Sequence, residues 1–443
     1  MTGRHRKNPE RGFTTIELMV ATVIFFVLAL AIFGILSANE GNKRTTTSIN
    51  DIDENGNYAL YRLGNLIRAA GSGYSAKSIA PAGTGAPADW QISYGCQLNA
   101  VSGGTTLLPA TALPKPFDNV FSITGSPRLA PVIIVANGSN LTSSTTPANT
   151  SDVLIVMSST AGFAQAGVPF TSTPSGANLN LVNSIGIFPN DLLLVADAPS
   201  GGTAGQCQVE QVASTFTAAT STTASSTAVA LAGTYYTDAS AATESLSSYS
   251  PNSLVFDLGN PTDKHPPSFR MFGVGPDTSP GSTTATGRAL YGYDLLQTTA
   301  TTPDAIAQGV FEMHALYGID PGGTGAVTAW ADPSKAPWDA ATLLNGSTAS
   351  AANLVSIKAI RIGLVLRTSL REKPVTNPSP PPTTRPVSPA ALTLFADLTD
   401  ASGASLKHTV DLTDTAYGVS PDYGQDYRWR TFEITIALHN SLD

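Results

Sequence analysis

The feature that most constrains this chain is a run of 19 uncharged, almost wholly apolar residues, 18–36, close to the N-terminus. A helix needs about 20 such residues to cross the hydrocarbon core of a bilayer. Glu17 stands directly before the run. Ionisable groups next to hydrocarbon are costly and usually functional. The pattern therefore predicts one transmembrane helix with a carboxylate at its N-terminal end that a plain membrane anchor would not need.

The flank before this run is basic, with Glu10 as its only acid. Basic flanks stay in the cytoplasm, so the rest of the chain is expected across the membrane. A cleaved secretory signal would have a shorter apolar region, followed by a site of small residues. Ile35 or Leu36 stands where a small residue would be needed. The basic residues of the flank are Arg4, Arg6, Lys7 and Arg11.

The stretch "RGFTTIELMV" resembles the processing site of type IV prepilins and related pseudopilins. The shared features are a short basic leader, Gly12, Phe13, and Glu17 in front of the apolar run. The resemblance implies that a prepilin peptidase removes residues 1–12 and methylates the new amine of Phe13. It also implies that Glu17 pairs with the amine of a neighbouring subunit and so sets axial register during assembly.

Beyond the apolar run, hydrophobic residues recur at spacings of three and four, which is typical of one helical face packed on a core. A continuous helix is expected from residue 13 to residue 70, with Gly71 as its stop and Gly34 and Gly41 as weak points. Its transmembrane half is residues 13–36 and its amphipathic half is residues 37–71. The recurring positions are Ile49, Ile52, Ala59, Leu60, Leu63, Leu66, Ile67 and Ala70.

The segment "ENGNYALYRLGNLIRAAG" resembles minor pilins of the PilW family. The matching residues are Glu54, Asn55, Gly56, Tyr58, Ala59, Leu63, Arg68, Ala70 and Gly71. Three later features extend the resemblance: "YGID" at 317–320, "AIRI" at 359–362 followed by Arg367, and a terminal Leu-x-Asn at 438–440, with His439 where Arg is expected. From the residues alone, the first segment is an amphipathic helix whose glycine permits close packing.

Residues 72–443 are expected to form a β-rich head, which makes the fold class α+β and, by the resemblance, type IV pilin-like. Short apolar runs bounded by turn residues predict strands at 131–138, 151–159, 190–199, 253–258 and 310–320. Alternation predicts further strands at 354–369 and 427–440. In the last strand, Phe432, Ile434, Ile436 and Leu438 are expected to point inward, and Thr431, Glu433 and Thr435 outward.

Two loops are expected within the head. Residues 214–248 are rich in Ser, Thr and Ala, which favours a loop or weak edge structure. Residues 373–389 contain seven prolines, which favours an extended surface loop outside the sheet. Such long loops accord with 39 glycines and 31 prolines in the whole chain of 443 residues.

Charge and cysteine content limit the function classes. Only 13% of residues are charged and the net charge is −8, whereas a nucleic-acid binder carries a basic patch or stripe.

The two cysteines, Cys96 and Cys207, are a candidate disulfide if this part of the chain lies outside the cytoplasm. The alternative is two free buried cysteines that behave as small hydrophobic residues.

Catalytic motifs are missing from the sequence. It contains no Gly-x-Ser-x-Gly elbow, no His-Glu-x-x-His and no Walker loop. The stretch "GIDPGGTGAV" at 318–327 lacks the spaced carboxylates of a calcium loop and predicts a tight turn. No cofactor, metal or enzymatic activity is expected. The histidines have no metal-ligand spacing, and they are His5, His265, His314, His408 and His439.

These expectations add up to a minor pilin that primes pilus assembly and serves pilus biogenesis, twitching motility and adhesion. The protein would begin in the bacterial inner membrane with its head in the periplasm and end in the extracellular pilus near the tip. Its partners would be prepilin peptidase, other minor pilins, the major pilin, the assembly platform and a tip adhesin. The alternatives are a minor pseudopilin of a type II secretion system, whose known heads are much smaller, and a membrane-tethered binding or enzymatic domain.

Overall fold

The structure is a computed structural model, and it contains two compact units, Met1–Asp51 and Ile52–Asp443. The residues that it describes are 12, 14–75, 93–110, 112–141, 151–161, 166–174, 177–220, 226–237, 245–277, 287–296, 302–372, 375–377, 383–385, 387–413, 417 and 424–439.

One long helix, α1, runs over Thr15–Arg68, so the predicted continuous helix is present and continues through both Gly34 and Gly41. Thr14 caps it, because the Thr14 side-chain oxygen accepts the Glu17 backbone N–H at 3.3 Å. The large apolar side chains between residues 16 and 36 are exposed. By length and composition, this helix is long and apolar enough to cross a membrane.

The last turns of α1 lie in the Ile52–Asp443 unit and bury the predicted apolar face. Ile52, Ala59, Leu63 and Ile67 are each at most 4% exposed and belong to the main hydrophobic core. Leu66 is half-buried against the same core. The 3.6-residue period of the sequence thus corresponds to real burial in this part of the helix.

Three short helices and twenty-one strands follow α1 in the described residues. The helices are α2 (Val120–Thr124), α3 (Ala340–Leu343) and α4 (Thr348–Ser356). The first strands are β1 (Gln97–Ser102), β2 (Thr105–Leu108), β3 (Val132–Val135), β4 (Val153–Ser158), β5 (Val168–Pro169), β6 (Asn178–Asn180), β7 (Leu192–Ala196), β8 (Gln206–Gln211), β9 (Ala228–Ala230) and β10 (Leu254–Gly259). The remaining strands are β11 (Ser268–Pro276), β12 (Arg288–Asp294), β13 (Asp304–Gln308), β14 (Val310–Ile319), β15 (Ala329–Ala331), β16 (Ile357–Arg367), β17 (Val375–Asn377), β18 (Thr383–Arg385), β19 (Ala391–Leu394), β20 (His408–Asp411) and β21 (Trp429–Ala437).

Most strands belong to three sheets. Their orders are β2-β1-β8-β7-β10-β5, β13-β12-β11-β4-β3 and β15-β14-β16-β21. Pairing is antiparallel except between β1 and β8. Three further two-stranded ladders are β6-β9, β17-β18 and β19-β20. The molecule is therefore α+β, with a long apolar helix and a large sheet-rich head.

Every apolar run predicted as a strand contains one, although the run 354–369 was predicted too long. Its first three residues belong to α4, and β16 begins at residue 357. The helix forms because Ser347 caps it, accepting the Ser350 backbone N–H at 3.2 Å. Alternation alone does not reveal this cap.

The alternation predicted for the last strand holds only in part. Ile436 and Leu438 are buried, whereas Phe432 and Ile434 are half-buried. Glu433 was expected to point to solvent, but its side chain is only 22% exposed. The reason is the neighbouring strand, from which the Arg361 guanidinium reaches the Glu433 carboxylate at 2.9 Å.

The two predicted loops contain short ladders. Strand β9 lies inside 214–248 and pairs with β6, which accords with weak edge structure there. Inside the Pro-rich segment 373–389, β17 pairs only with β18, outside the three large sheets.

Candidate functional site

The N-terminal motif is the first candidate site, and the structure describes part of it. Gly12 is exposed, and Phe13 lies outside the described residues. Glu17 occupies the first turn of α1, where an acid is stabilised by the positive end of the helix dipole. Thr14 and Glu17 have the Thr-x-x-Glu spacing of a capping box. This position favours the start of the helix, and Glu17 is exposed.

The two cysteines form a disulfide in the structure. Cys96 immediately precedes β1 and Cys207 lies in β8, the strand that pairs in parallel with β1. Both residues are fully buried, and their Cα atoms are 5.5 Å apart. The bond joins positions 111 residues apart, a loop for which chain entropy alone corresponds to about 4–5 kcal/mol of stabilisation.

The YGID and AIRI stretches, which resemble the PilW family, lie mainly on β14 and β16, the two central strands of the four-stranded sheet. The Tyr317 hydroxyl is fully buried and accepts the backbone N–H of Ile134 at 2.6 Å, which ties β14 to β3. Asp320 closes the turn before β15, since its carboxylate accepts the Gly325 N–H at 2.6 Å. The stretch predicted as a tight turn is therefore the turn of a hairpin. Asn440, the last residue of the Leu-x-Asn pattern, lies outside the described residues.

A buried cluster that sequence spacing did not reveal brings together Glu312, His314 and His408. Glu312 and His314 are two residues apart on β14, so their side chains share one face of the strand. The Glu312 Oε2 atom lies 3.2 Å from His314 Nε2 and 3.8 Å from His408 Nε2. The two imidazole rings stack with their centroids 3.8 Å apart. The only sequence signal was the polar pair on an otherwise apolar strand.

Two further side chains fix the orientation of this cluster. The Tyr417 hydroxyl donates a hydrogen bond to Glu312 Oε1, the oxygen that faces away from the histidines. Asp152 Oδ2 lies 3.6 Å from His314 Nδ1. The Asp152 carboxylate is itself held by the backbone N–H groups of Asn137 and Ala315, each at 3.0 Å.

Electrostatics make the cluster a charged network. Burial lowers the pKa of His314, but the carboxylates of Asp152 and Glu312 outweigh burial and raise it to about 10. Burial raises the pKa of Glu312, while hydrogen bonds from His314, His408 and Tyr417 dominate and lower it to about 2. At neutral pH, His314 is therefore a cation between two carboxylates when no other cation is present.

A cavity of about 380 Å³ opens beside the cluster. Asp152, His314 and His408 contribute to its wall. The side chain of His408 is 38% exposed, whereas that of Glu312 is only 4% exposed. The cavity therefore adjoins both histidines, whereas Glu312 is not part of its wall.

A second cavity, of about 610 Å³, is lined by three acids, Asp191, Asp257 and Asp263. Burial and the charge of Asp191 raise the pKa of Asp257 to about 7, against a hydrogen bond from the Gly259 N–H that lowers it. Burial also raises the pKa of Asp191 to about 6. This cavity holds carboxyl groups but, among the described residues, no cluster of three with ligand-like geometry.

Comparison with known proteins gives one match. Residues 281–440 match the model of the PilW family, described as type IV pilus-assembly protein W. No curated protein sequence and no solved structure matches the chain. The matched segment holds β12 to β21, including the YGID and AIRI motifs and all three cluster residues. It supports the predicted relation to this family and to type IV pilus assembly. The N-terminal motif lies outside the match, so its processing stays a prediction.

Proposed function

We propose that the chain is a minor pilin of a type IV pilus. The peptidase removes residues 1–12 and methylates the amine of Phe13. Before assembly the protein is anchored in the inner membrane with its head in the periplasm. It then joins the major pilin and other minor pilins on the assembly platform. It primes assembly and remains in a subcomplex near the tip, where it meets a tip adhesin and supports twitching motility and adhesion.

The observation that carries this proposal is the pilus-assembly match over residues 281–440. A chain with that head begins with an apolar helix long enough to span a membrane, and an acid stands in its first turn. A membrane anchor explains the apolar length, and helix capping explains an acid in the first turn. In a helical filament the same acid also has a charged partner on the neighbouring subunit.

Glu17 and the processed amine of Phe13 form the assembly contact in this proposal. Cleavage creates a positive charge four residues before Glu17. In a bundle of apolar helices, a charge is tolerated when an opposite charge pairs with it. Pairing the amine of one subunit with Glu17 of the next therefore selects a single axial offset between neighbours.

Substitutions at Glu17 test this contact. Glu17→Gln keeps a side chain that completes a capping box but removes the charge. We expect the variant to insert into the membrane normally and to reach sheared pili at least about tenfold less, because leaving one partner of a buried pair uncompensated costs about 3–5 kcal/mol. The measurement is immunoblotting of membrane and sheared-pilus fractions.

The matched control is Glu40→Ala, another acid on α1, whose exposed carboxylate lies 3.1 Å from Arg44. This variant should reach pili at the wild-type level. Wild-type incorporation of Glu17→Gln would show that Glu17 acts only as a helix cap and would refute the ion pair.

The alternative pilin-like function is a minor pseudopilin of a type II secretion system, and the third is a membrane-tethered binding or enzymatic domain. The pilus-assembly match favours the first proposal over both. Recovery in sheared pili is the discriminating result, because neither alternative places the protein in that fraction.

A further inference from the structure

We propose that Glu312, His314 and His408 form a binding site for one divalent transition-metal ion, with zinc as the best fit. The proposal does not depend on the function proposed above. Two imidazoles and one carboxylate are a donor set that zinc sites use when a fourth position is left to water.

The donor atoms already converge on one point. One ligand atom from each of Glu312, His314 and His408 lies within 4.8 Å of the ligand atoms of the other two. Zinc holds nitrogen and oxygen ligands at about 2.0–2.2 Å, so tetrahedral geometry separates two ligand atoms by about 3.3–3.6 Å. The distance of 3.2 Å from Glu312 to His314 is near this spacing, and the 3.8 Å to His408 requires only a small side-chain shift.

Two of the three proposed ligands, His314 and Glu312, contact neighbouring side chains in the way that metal ligands usually do. A metal-bound imidazole usually directs its other nitrogen toward a carboxylate, and a ligating carboxylate is itself hydrogen-bonded. His314 places Nδ1 3.6 Å from Asp152 while Nε2 faces the centre of the cluster. Glu312 uses Oε1 for the Tyr417 hydroxyl, which leaves Oε2 for the ion.

Charge also favours a divalent cation. With both imidazoles neutral, the Glu312 and Asp152 carboxylates bring two negative charges, and each of these residues is at most 5% exposed. A divalent ion balances these charges. The other charged side chains of the cavity wall are Lys407 and the pair Asp332–Lys335, whose atoms are 3.2 Å apart.

His408 separates this proposal from a simple buried ion pair. A protonated His314 between Asp152 and Glu312 needs no second histidine. His408 nevertheless stacks on His314 and directs Nε2 toward the same carboxylate oxygen. A metal ion gives both imidazoles a shared partner, and a cavity adjoins both histidines.

The proposed ion joins two parts of the head that share no ladder among the residues that the structure describes. Glu312 and His314 lie in the four-stranded sheet, and His408 begins β20, which pairs only with β19. A metal bridge would fasten this hairpin to β14.

The test uses the full-length protein in detergent, without a histidine tag. After treatment with a chelator and dialysis against zinc, elemental analysis should find about one zinc ion per chain. His408→Ala should weaken zinc binding at least about tenfold by calorimetry, since loss of even an outer contact commonly costs 10–100-fold. His439→Ala, at an exposed histidine outside the cluster, should bind as the wild type does.

A second measurement needs no variant. X-ray absorption at the zinc edge should show nitrogen and oxygen donors at about 2.0–2.1 Å, including two imidazoles. Substitution of a half-exposed histidine should leave the far-ultraviolet circular dichroism unchanged. The proposal is wrong if the wild-type protein takes up no zinc after the chelator treatment. It is also wrong if the His408→Ala protein binds zinc with wild-type affinity.

Discussion

Asp257 is a buried carboxyl group in the wall of the second cavity. It is 3% exposed, and its Oδ1 atom accepts the Gly259 N–H at 2.9 Å. Its folded-state pKa of about 7 lies well above the value of about 3.9 that an unfolded chain gives it. Between these two values the folded protein binds more protons than the unfolded chain. The contribution of Asp257 to the unfolding free energy therefore falls as pH rises from about 4 to about 7.

Asp257→Asn should flatten this dependence, because the amide keeps the shape and the acceptor oxygen but has no proton to lose. The wild type should lose up to about 1.4 kcal/mol of unfolding free energy per pH unit from this group within that window. Asp191 and Asp294, whose pKa values burial also raises, contribute to the remaining slope of the variant. Urea unfolding at several pH values, followed by tryptophan fluorescence, measures both slopes.

Asp118→Asn is the matched control, because it makes the same chemical change at an exposed position. It should unfold with the pH profile of the wild type. An Asp257→Asn protein whose stability still falls as steeply as the wild type would contradict the assignment of the slope to this carboxyl group.

Sequence patterns singled out some candidate residues and missed others for physical reasons. Glu17 was visible because a charge beside an apolar run is rare, and Cys96 and Cys207 because they are the only cysteines. The cluster of Glu312, His314 and His408 was not predictable from the sequence. His408 lies on a different strand from His314 and far along the chain. Only the packing of the β19–β20 hairpin beside β14 brings the two histidines together.

Among the elements, the contact between α1 and β21 depends on one glycine. A Cβ atom at Gly56 would lie 2.6 Å from the Phe432 ring, closer than real contacts allow. Gly56 lies within the helix, where glycine costs about 1 kcal/mol relative to alanine. The ring therefore sits against bare backbone, as expected for a glycine that permits close packing.

Gly56→Ala should destabilise the head by up to about 2 kcal/mol, since overpacking costs about 1–3 kcal/mol and the helix regains about 1 kcal/mol. Gly64→Ala on the same helix is the control. A Cβ atom there would meet only the flexible end of Arg68 at 3.4 Å. It should stabilise by up to about 1 kcal/mol. Denaturant midpoints measure both changes, and equal effects of the two substitutions would contradict the packing account.

Periodicity predicted elements well where one face meets the core and poorly where local hydrogen bonds decide. The helix face around Leu63 and the strand around Ile436 are examples of the first case. Helix α4 and the ladder β17–β18 are examples of the second, since a serine cap and a short hairpin leave no hydrophobic period to read. Sheet order was not predictable, because β1 ends at Ser102 and pairs with β8, which begins only at Gln206.

In the whole molecule, the match to a pilus-assembly family covers the C-terminal strands. The proposed contact between Glu17 and the amine of Phe13 lies at the opposite end of the chain. The two ends have different roles in this proposal. The head binds other pilus components, while the N-terminal helix lies in the membrane before assembly and in the filament afterwards. Both tasks depend on the cleavage that exposes the amine of Phe13.

Mass spectrometry of the N-terminus in sheared pili tests this central claim most directly. In cells with prepilin peptidase, the account predicts a peptide that begins at an N-methylated Phe13. Cells that lack the peptidase should contain only the uncut chain, in membranes. A chain that retains residues 1–12 and stays in the membrane while the peptidase is active would contradict the account.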